Sequence, residues 1–124
     1  MVPKQPFVLI VEDDEELRGL IRTTLADAGC IAVEAADGAA ALAACAERDP
    51  DVILLDLALP LLGGQAFADA YRRGLGRAKI IVTSGTTRGG EESARMRAAV
   101  FLSKPYGLEE LLSAVKRVLT PPTG

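Results

Sequence analysis

Val52-Ile53-Leu54-Leu55-Asp56-Leu57-Ala58-Leu59-Pro60 is the stretch on which the fold turns. Four apolar residues run without alternation into a single carboxylate. An apolar run of that kind fits a strand covered on both faces of a parallel sheet. A lone carboxylate ending such a strand is costly unless a cation or strong donors meet it. The rest of the chain must therefore bring company to Asp56.

Three segments offer it. Glu12-Asp13-Asp14 follows Phe7–Val11, Ser84 follows Ile80-Ile81-Val82-Thr83, and Lys104 follows Val100–Ser103. With Ile31–Ala35 and Val52–Leu55, five short apolar runs are predicted as strands, the fourth spanning Lys79–Thr83. Helical spacing lies between them. Leu17, Ile21, Leu25 and Ala28 recur every four residues, with Leu20 beside them. Phe67, Ala70, Tyr71 and Leu75 suggest another helix, and Leu108, Leu111, Leu112, Val115, Val118 and Leu119 form a full apolar face. Gly38 to Ala46 is Ala-rich, with Asp37 placed to cap it. Gly63-Gly64 reads as a turn and helix entry, and Pro121-Pro122 ends the last helix. The weakest stretch is Gly85 to Ala99, where Glu91 to Ala98 suggests a short, poorly anchored helix. Strand and helix alternating five times predict a doubly wound α/β sheet. In such sheets ligands sit outside the carboxyl ends of the strands, where these polar residues fall.

Composition narrows the function. The chain has 124 residues, 49% hydrophobic and 25% charged, as expected of one globular domain. A net charge of −3 without a basic cluster argues against a nucleic-acid surface. No apolar stretch is long enough for a membrane span and no signal peptide opens the chain, so a cytoplasmic location is expected. Cys30 and Cys45 read as small buried side chains rather than a disulfide. With no histidine, Ser-His-Asp and Cys-His catalysis are excluded, and any phosphohistidine must belong to a partner.

Val11-Glu12-Asp13-Asp14, Leu54-Leu55-Asp56-Leu57-Ala58-Leu59-Pro60, Thr83-Ser84-Gly85 and Lys104-Pro105-Tyr106 stand in one order. Together they resemble the receiver domain of two-component response regulators, over about Phe7 to Leu119 within a single domain of residues 1–124. The resemblance implies a flavodoxin-like five-stranded parallel sheet in the order 2-1-3-4-5, with helices on both faces. It implies that Asp56 is the phosphoryl acceptor, supplied by a sensor histidine kinase or a histidine phosphotransfer protein. Mg²⁺ would be held by Asp13, Asp56 and the backbone carbonyl of Ala58, with Glu12 acting through water; hard oxygen ligands suit that ion. Lys104 would pair with a phosphoryl oxygen and Ser84 would hydrogen-bond another. The Lys104–Pro105 bond would be cis. Ser84 and Phe101 would form the conformational switch toward an unknown downstream protein.

Each residue has an ordinary reading beside this one. Asp13, Asp14, Glu15 and Glu16 all favour a helix N-terminus, and Asp14 is a substitute for Asp13 if the register slips. Ser84 before Gly85 also fits turn chemistry, and Phe101 fits a core aromatic. The match loosens in places. The Ser84–Lys104 interval is short, and Ala98-Ala99 stands where the family has Gly-Ala. A short, mobile or displaced fourth helix is therefore expected. Gly63 replaces a usual acid, and Leu59, Leu61 and Leu62 make the preceding loop apolar. Ala58 and Thr86, where family side chains tune attack by water, are poorly suited to orient it, which implies slow self-dephosphorylation; no other enzymatic activity is expected. The alternative function is a pseudo-receiver, an interaction module that never carries phosphate. A third, an aspartyl-phosphate hydrolase, lacks the second acid two residues after Asp56. Met1 close to the first strand fits an authentic N-terminus, while Pro121-Pro122 equally fits a linker.

Overall fold

The computed structural model describes residues 5–59, 63–86 and 88–120. Pro60, Leu61 and Leu62 of the apolar loop, and Pro121-Pro122, lie outside the described residues. The elements alternate from β1 (Phe7–Val11), α1 (Glu15–Asp27), β2 (Ile31–Ala35) and α2 (Gly38–Glu47) to β3 (Val52–Asp56) and α3 (Gly64–Arg73). They continue through β4 (Lys79–Ser84), α4 (Gly89–Arg95), β5 (Val100–Ser103) and α5 (Leu108–Leu119). The sheet is parallel throughout, in the order β2-β1-β3-β4-β5. The predicted doubly wound topology is therefore the one observed. β3 and β4 each run one residue further than expected, taking Asp56 and Ser84 into the strands.

Two apolar layers follow from the strand period of two. Val8, Ile10, Val52, Leu54 and Ile81 face Ile21, Leu25, Leu111, Ala114 and Val115 of α1 and α5. Leu9, Val11, Ile53, Leu55, Ile80 and Val82 face Ala41, Phe67, Ala68, Tyr71 and Met96 from α2, α3 and the end of α4. β1 and β3 are buried along their whole length, whereas β2, at the sheet edge, is only partly covered. Capping behaves as the side chains require. Asp37 accepts from the Ala40 amide at 2.8 Å, and Gly63 precedes α3 without a side-chain cap.

Four expectations need correction. Leu20 is 53% exposed, because α1 turns only its Leu17–Ile21–Leu25 stripe toward the sheet. Leu75 is 84% exposed: α3 stops at Arg73, and Leu75 sits at φ 67° in the turn that follows. Cys30 and Cys45 are free as expected but half-buried, and burial pushes the Cys45 thiol up to about 11, helped by the nearby Asp49 charge. The fourth helix is short as expected, at seven residues, but runs Gly89–Arg95 instead of Glu91–Ala98. Arg97, at φ 55°, turns the chain out of the helix. The Arg72 guanidinium of α3 donates to the Met96 and Arg97 carbonyls at that end.

Below the sheet, the Tyr71 hydroxyl donates to Asp49 Oδ1 at 2.6 Å and accepts from the Ala78 amide at 2.6 Å. A Cβ on Gly76 would fall 2.1 Å from the Tyr71 ring, so the chain passes there only as glycine. Burial, and next the Asp49 hydrogen bond, hold the Tyr71 phenol well above its ordinary value. Both Cys45 and Tyr71 have folded pKa values raised above their unfolded ones. Their contribution to stability is therefore complete below the unfolded values, about 8.5 and 10, and is lost as pH rises beyond them. The urea midpoint is expected to fall steadily between pH 8 and pH 11, and less steeply in Tyr71→Phe. A midpoint level across that range in the wild type would contradict this.

Candidate functional site

β1, β3 and β5 deliver the site at their carboxyl ends. Beyond Val11 the Glu12 amide donates to the Ala35 carbonyl of β2 at 3.1 Å, which prolongs the sheet by one bond. The Glu12 side chain folds inward to 3% exposure and accepts from the Asp14 amide at 3.1 Å through Oε2. Asp14 in turn caps α1, accepting from the Leu17 amide at 3.2 Å, with Glu15 and Glu16 in the first turn. Local helix chemistry thus uses Asp14, Glu15 and Glu16 and leaves Glu12 and Asp13 free for the site.

Asp56 ends β3 at 4% exposure. Both its carboxylate oxygens are engaged: the Ala58 amide donates to Oδ1 at 3.0 Å, and Lys104 Nζ donates to Oδ2 at 3.2 Å. Lys104 Nζ also donates to Glu12 Oε1 at 2.9 Å. Lys104 reaches inward from the end of β5, where its amide donates to the Ser84 carbonyl at 2.8 Å and its bond to Pro105 is cis. Glu12, Asp13 and Asp56 each offer an oxygen within 4.8 Å of the others. It is the one such cluster among the described residues.

Three carboxylates, Glu12 and Asp56 buried and Asp13 exposed, face one ammonium, so acidic groups outnumber the basic one. Both partners are shifted upward, for different reasons. Burial raises the Glu12 carboxyl above its ordinary value, more than Lys104 and the Asp14 amide lower it, and Asp56 adds to the rise. Burial alone would depress the Lys104 ammonium, but its hydrogen bond to Glu12 and the charge of Asp56 outweigh that and raise it. The charge excess, the all-oxygen donor set and the close spacing fit a small divalent cation such as Mg²⁺. Lys104 supplies part of that positive charge from the protein itself.

Ser84 is 2% exposed, one residue beyond the Thr83 that pairs with Asp56 across the sheet. Its hydroxyl is held by Thr86, through the Thr86 hydroxyl at 3.0 Å and the Thr86 amide at 3.1 Å, and not by Asp56 or Lys104. Phe101 is half-buried against the α2–α3–α4 layer. Gly89, the first residue of α4, lies against both: a Cβ there would come within 2.6 Å of Ser84 Cβ and 2.9 Å of the Phe101 ring.

Three contacts at the site go beyond the sequence reading, two of them at residues it had already singled out. Thr86 holds the Ser84 hydroxyl, a role that no pattern in Gly85-Thr86 announces. Tyr106 lines a narrow crevice with Glu12, Asp56 and Thr83; burial raises its phenol, and Lys104 opposes the rise. Its place after Lys104-Pro105 was the available signal. Arg18, which the sequence reading did not single out, donates to the Glu12 carbonyl at 2.9 Å and to Glu34 at 2.9 Å.

Residues 8–116 match the model of the response regulator receiver domain. The transcriptional regulatory protein KdpE of Mycobacterium tuberculosis is 32% identical over 112 residues, covering 89% of this chain and 49% of that protein. Protein PilG of Pseudomonas aeruginosa is 30% identical over 113 residues, covering 88% of this chain and 84% of PilG. This chain thus spans about half the length of KdpE and most of PilG. Among solved structures, the chemotaxis response regulator CheY4 of Vibrio cholerae superposes with a TM-score of 0.85 at 32% identity, covering 92% of this chain and 98% of that one.

Proposed function

This chain belongs to the response regulator receiver domains of two-component systems, and on that footing we propose that Asp56 accepts a phosphoryl group from a phosphohistidine of a partner protein. The observation that carries the reading is the Lys104 ammonium held between the buried carboxylates of Glu12 and Asp56, with Asp13 completing the acid cluster. A carboxylate oxygen of Asp56 attacks phosphorus, the phosphorus–nitrogen bond to the partner's imidazole breaks, and its electron pair leaves with that ring. The product on this chain is an acyl phosphate.

Mg²⁺ held by Asp13, Asp56 and the Ala58 carbonyl, with Glu12 through water, would offset the charge of two anions meeting. Lys104 turns from Asp56 Oδ2 toward a phosphoryl oxygen, for which its single point charge is suited. The Ala58 amide keeps Asp56 oriented. Ser84 exchanges its Thr86 partner for another phosphoryl oxygen, which loosens the contacts among Ser84, Gly89 and Phe101. A changed surface around α4 and β5 then passes the signal to a downstream protein. Ala58 carries no polar side chain, and the Thr86 hydroxyl is spent on Ser84, so water attacks the acyl phosphate slowly. The reading covers residues 1–124 as one receiver domain that works in the cytoplasm without turnover of a substrate. Binding of nucleic acid or membrane by this domain has no part in it. Among the described residues, no helix is long and apolar enough to cross a membrane.

The test is intact-mass spectrometry after incubation with acetyl phosphate, with and without Mg²⁺. The expected result is a gain of one phosphoryl group that requires the metal. No gain from acetyl phosphate or from a phosphohistidine donor, in protein shown to be folded, would overturn the reading.

A further inference from the structure

Arg18 is the best-buried cation in the neighbourhood that the proposed reaction does not use. It lies one turn into α1, and its side chain is 14% exposed. Its Nε donates to Glu34 Oε1 at 2.9 Å, and its Nη1 donates to the main-chain carbonyl of Glu12 at 2.9 Å. Glu34 sits on the edge strand β2, beside the Ala35 whose carbonyl receives the Glu12 amide. Residue 12 is thus tied to β2 on both sides, directly through its amide and indirectly through Arg18 at its carbonyl. The peptide group held by Arg18 joins Glu12 to Asp13, the two acids of the cluster on this loop.

We propose that Arg18 is a positioning residue for the divalent-cation site, fixing the Glu12–Asp13 peptide so that both carboxylates converge on Asp56. This rests on the reading of that cluster as a Mg²⁺ site. The guanidinium is suited to the task because its planar donors bind two acceptors at a fixed angle, which a lysine cannot reproduce. Groups that orient ligands from behind typically change metal affinity 10- to 100-fold when removed.

The sign separates positioning from charge. Arg18 is a cation beside a cation site, so electrostatics alone predicts tighter Mg²⁺ binding when it is lost. Positioning predicts weaker binding. Arg22 is the internal comparison: it approaches the same Glu34 at 3.5 Å but is 60% exposed and makes no bond to the Glu12 carbonyl.

The experiment is calorimetric titration of the 124-residue chain with MgCl₂, after circular dichroism has shown each variant to be folded. Arg18→Met is expected to weaken binding roughly 10- to 100-fold and Arg18→Lys less, by the same reasoning. Arg22→Met should bind within about twofold of wild type, since exposed pairs contribute little. Glu34→Gln should fall between, because Arg18 then keeps its carbonyl bond but loses its anchoring charge. Unchanged or tighter binding in folded Arg18→Met, or in Arg18→Lys if the methionine variant does not fold, overturns the proposal and leaves the metal site standing. Equal weakening by Arg22→Met overturns it too. A wild-type chain that shows no saturable Mg²⁺ binding brings down both the site and the proposal.

Discussion

Asp56→Ala is expected to gain no phosphoryl group from acetyl phosphate under conditions that load the wild type fully, and to keep its fold. The chemistry explains the first half. Glu12 has both carboxylate oxygens engaged, one by Lys104 and the other by the Asp14 amide, so neither is free to attack phosphorus. Asp13 is exposed and so lacks the enclosure that surrounds Asp56. The second half comes from the charge balance. Removing Asp56 costs its bonds to the Ala58 amide and to Lys104, but it also ends the repulsion between Asp56 and Glu12. Bonds to an ionised group contribute about 1.5–3 kcal/mol each on balance; the relief of repulsion opposes that loss, so the variant should stay folded with a modestly shifted thermal midpoint. Full loading of the folded variant, read by intact mass, would place the acceptor elsewhere.

Lys104→Met should slow phosphoryl uptake roughly 100- to 1000-fold, the range found when one charged or hydrogen-bonding group is removed from a developing charge. Methionine keeps much of the side-chain volume, so the loss reports the ammonium. Mg²⁺ affinity should move the other way. Lys104 Nζ pairs with Glu12 Oε1 and Asp56 Oδ2, two of the three acids of the proposed ion site, and without it the acids hold one more uncompensated charge. Tighter metal binding with much slower uptake is the signature expected. Uptake within tenfold of wild type, in protein saturated with Mg²⁺, would show that Lys104 serves the resting structure only.

The sheet was legible because its strands are buried on both faces: Val8–Val11 and Val52–Leu55 carry no polar residue to blur their limits. The acid cluster was legible because unpaired charge at the end of such a strand has few explanations. Both aspartates read as helix-entry residues and the resemblance alone preferred Asp13; the structure puts the cap on Asp14. α4 was misplaced, by two residues at its start and three at its end, because its limits are not set by an apolar stripe. They are set by Arg72 reaching across from α3 and by the left-handed turn at Arg97. Leu75 was assigned to a helix face by spacing alone, and Gly74 ends the helix before it arrives. Arg18 was invisible for a related reason, because its partner is a main-chain carbonyl and carbonyls leave no mark in sequence.

The packing of Gly89 against Ser84 and Phe101 bears on how such a chain can evolve. Alanine is the better helix former by about 1 kcal/mol, so stability alone would favour it at position 89. The methyl group would overlap Ser84 Cβ and the Phe101 ring. These three positions should therefore vary together across descendants of this sequence. A side chain at 89 becomes tolerable with a smaller residue at 101, or with a strand end that has shifted. Such lineages would inherit a different resting geometry for the hydroxyl at 84.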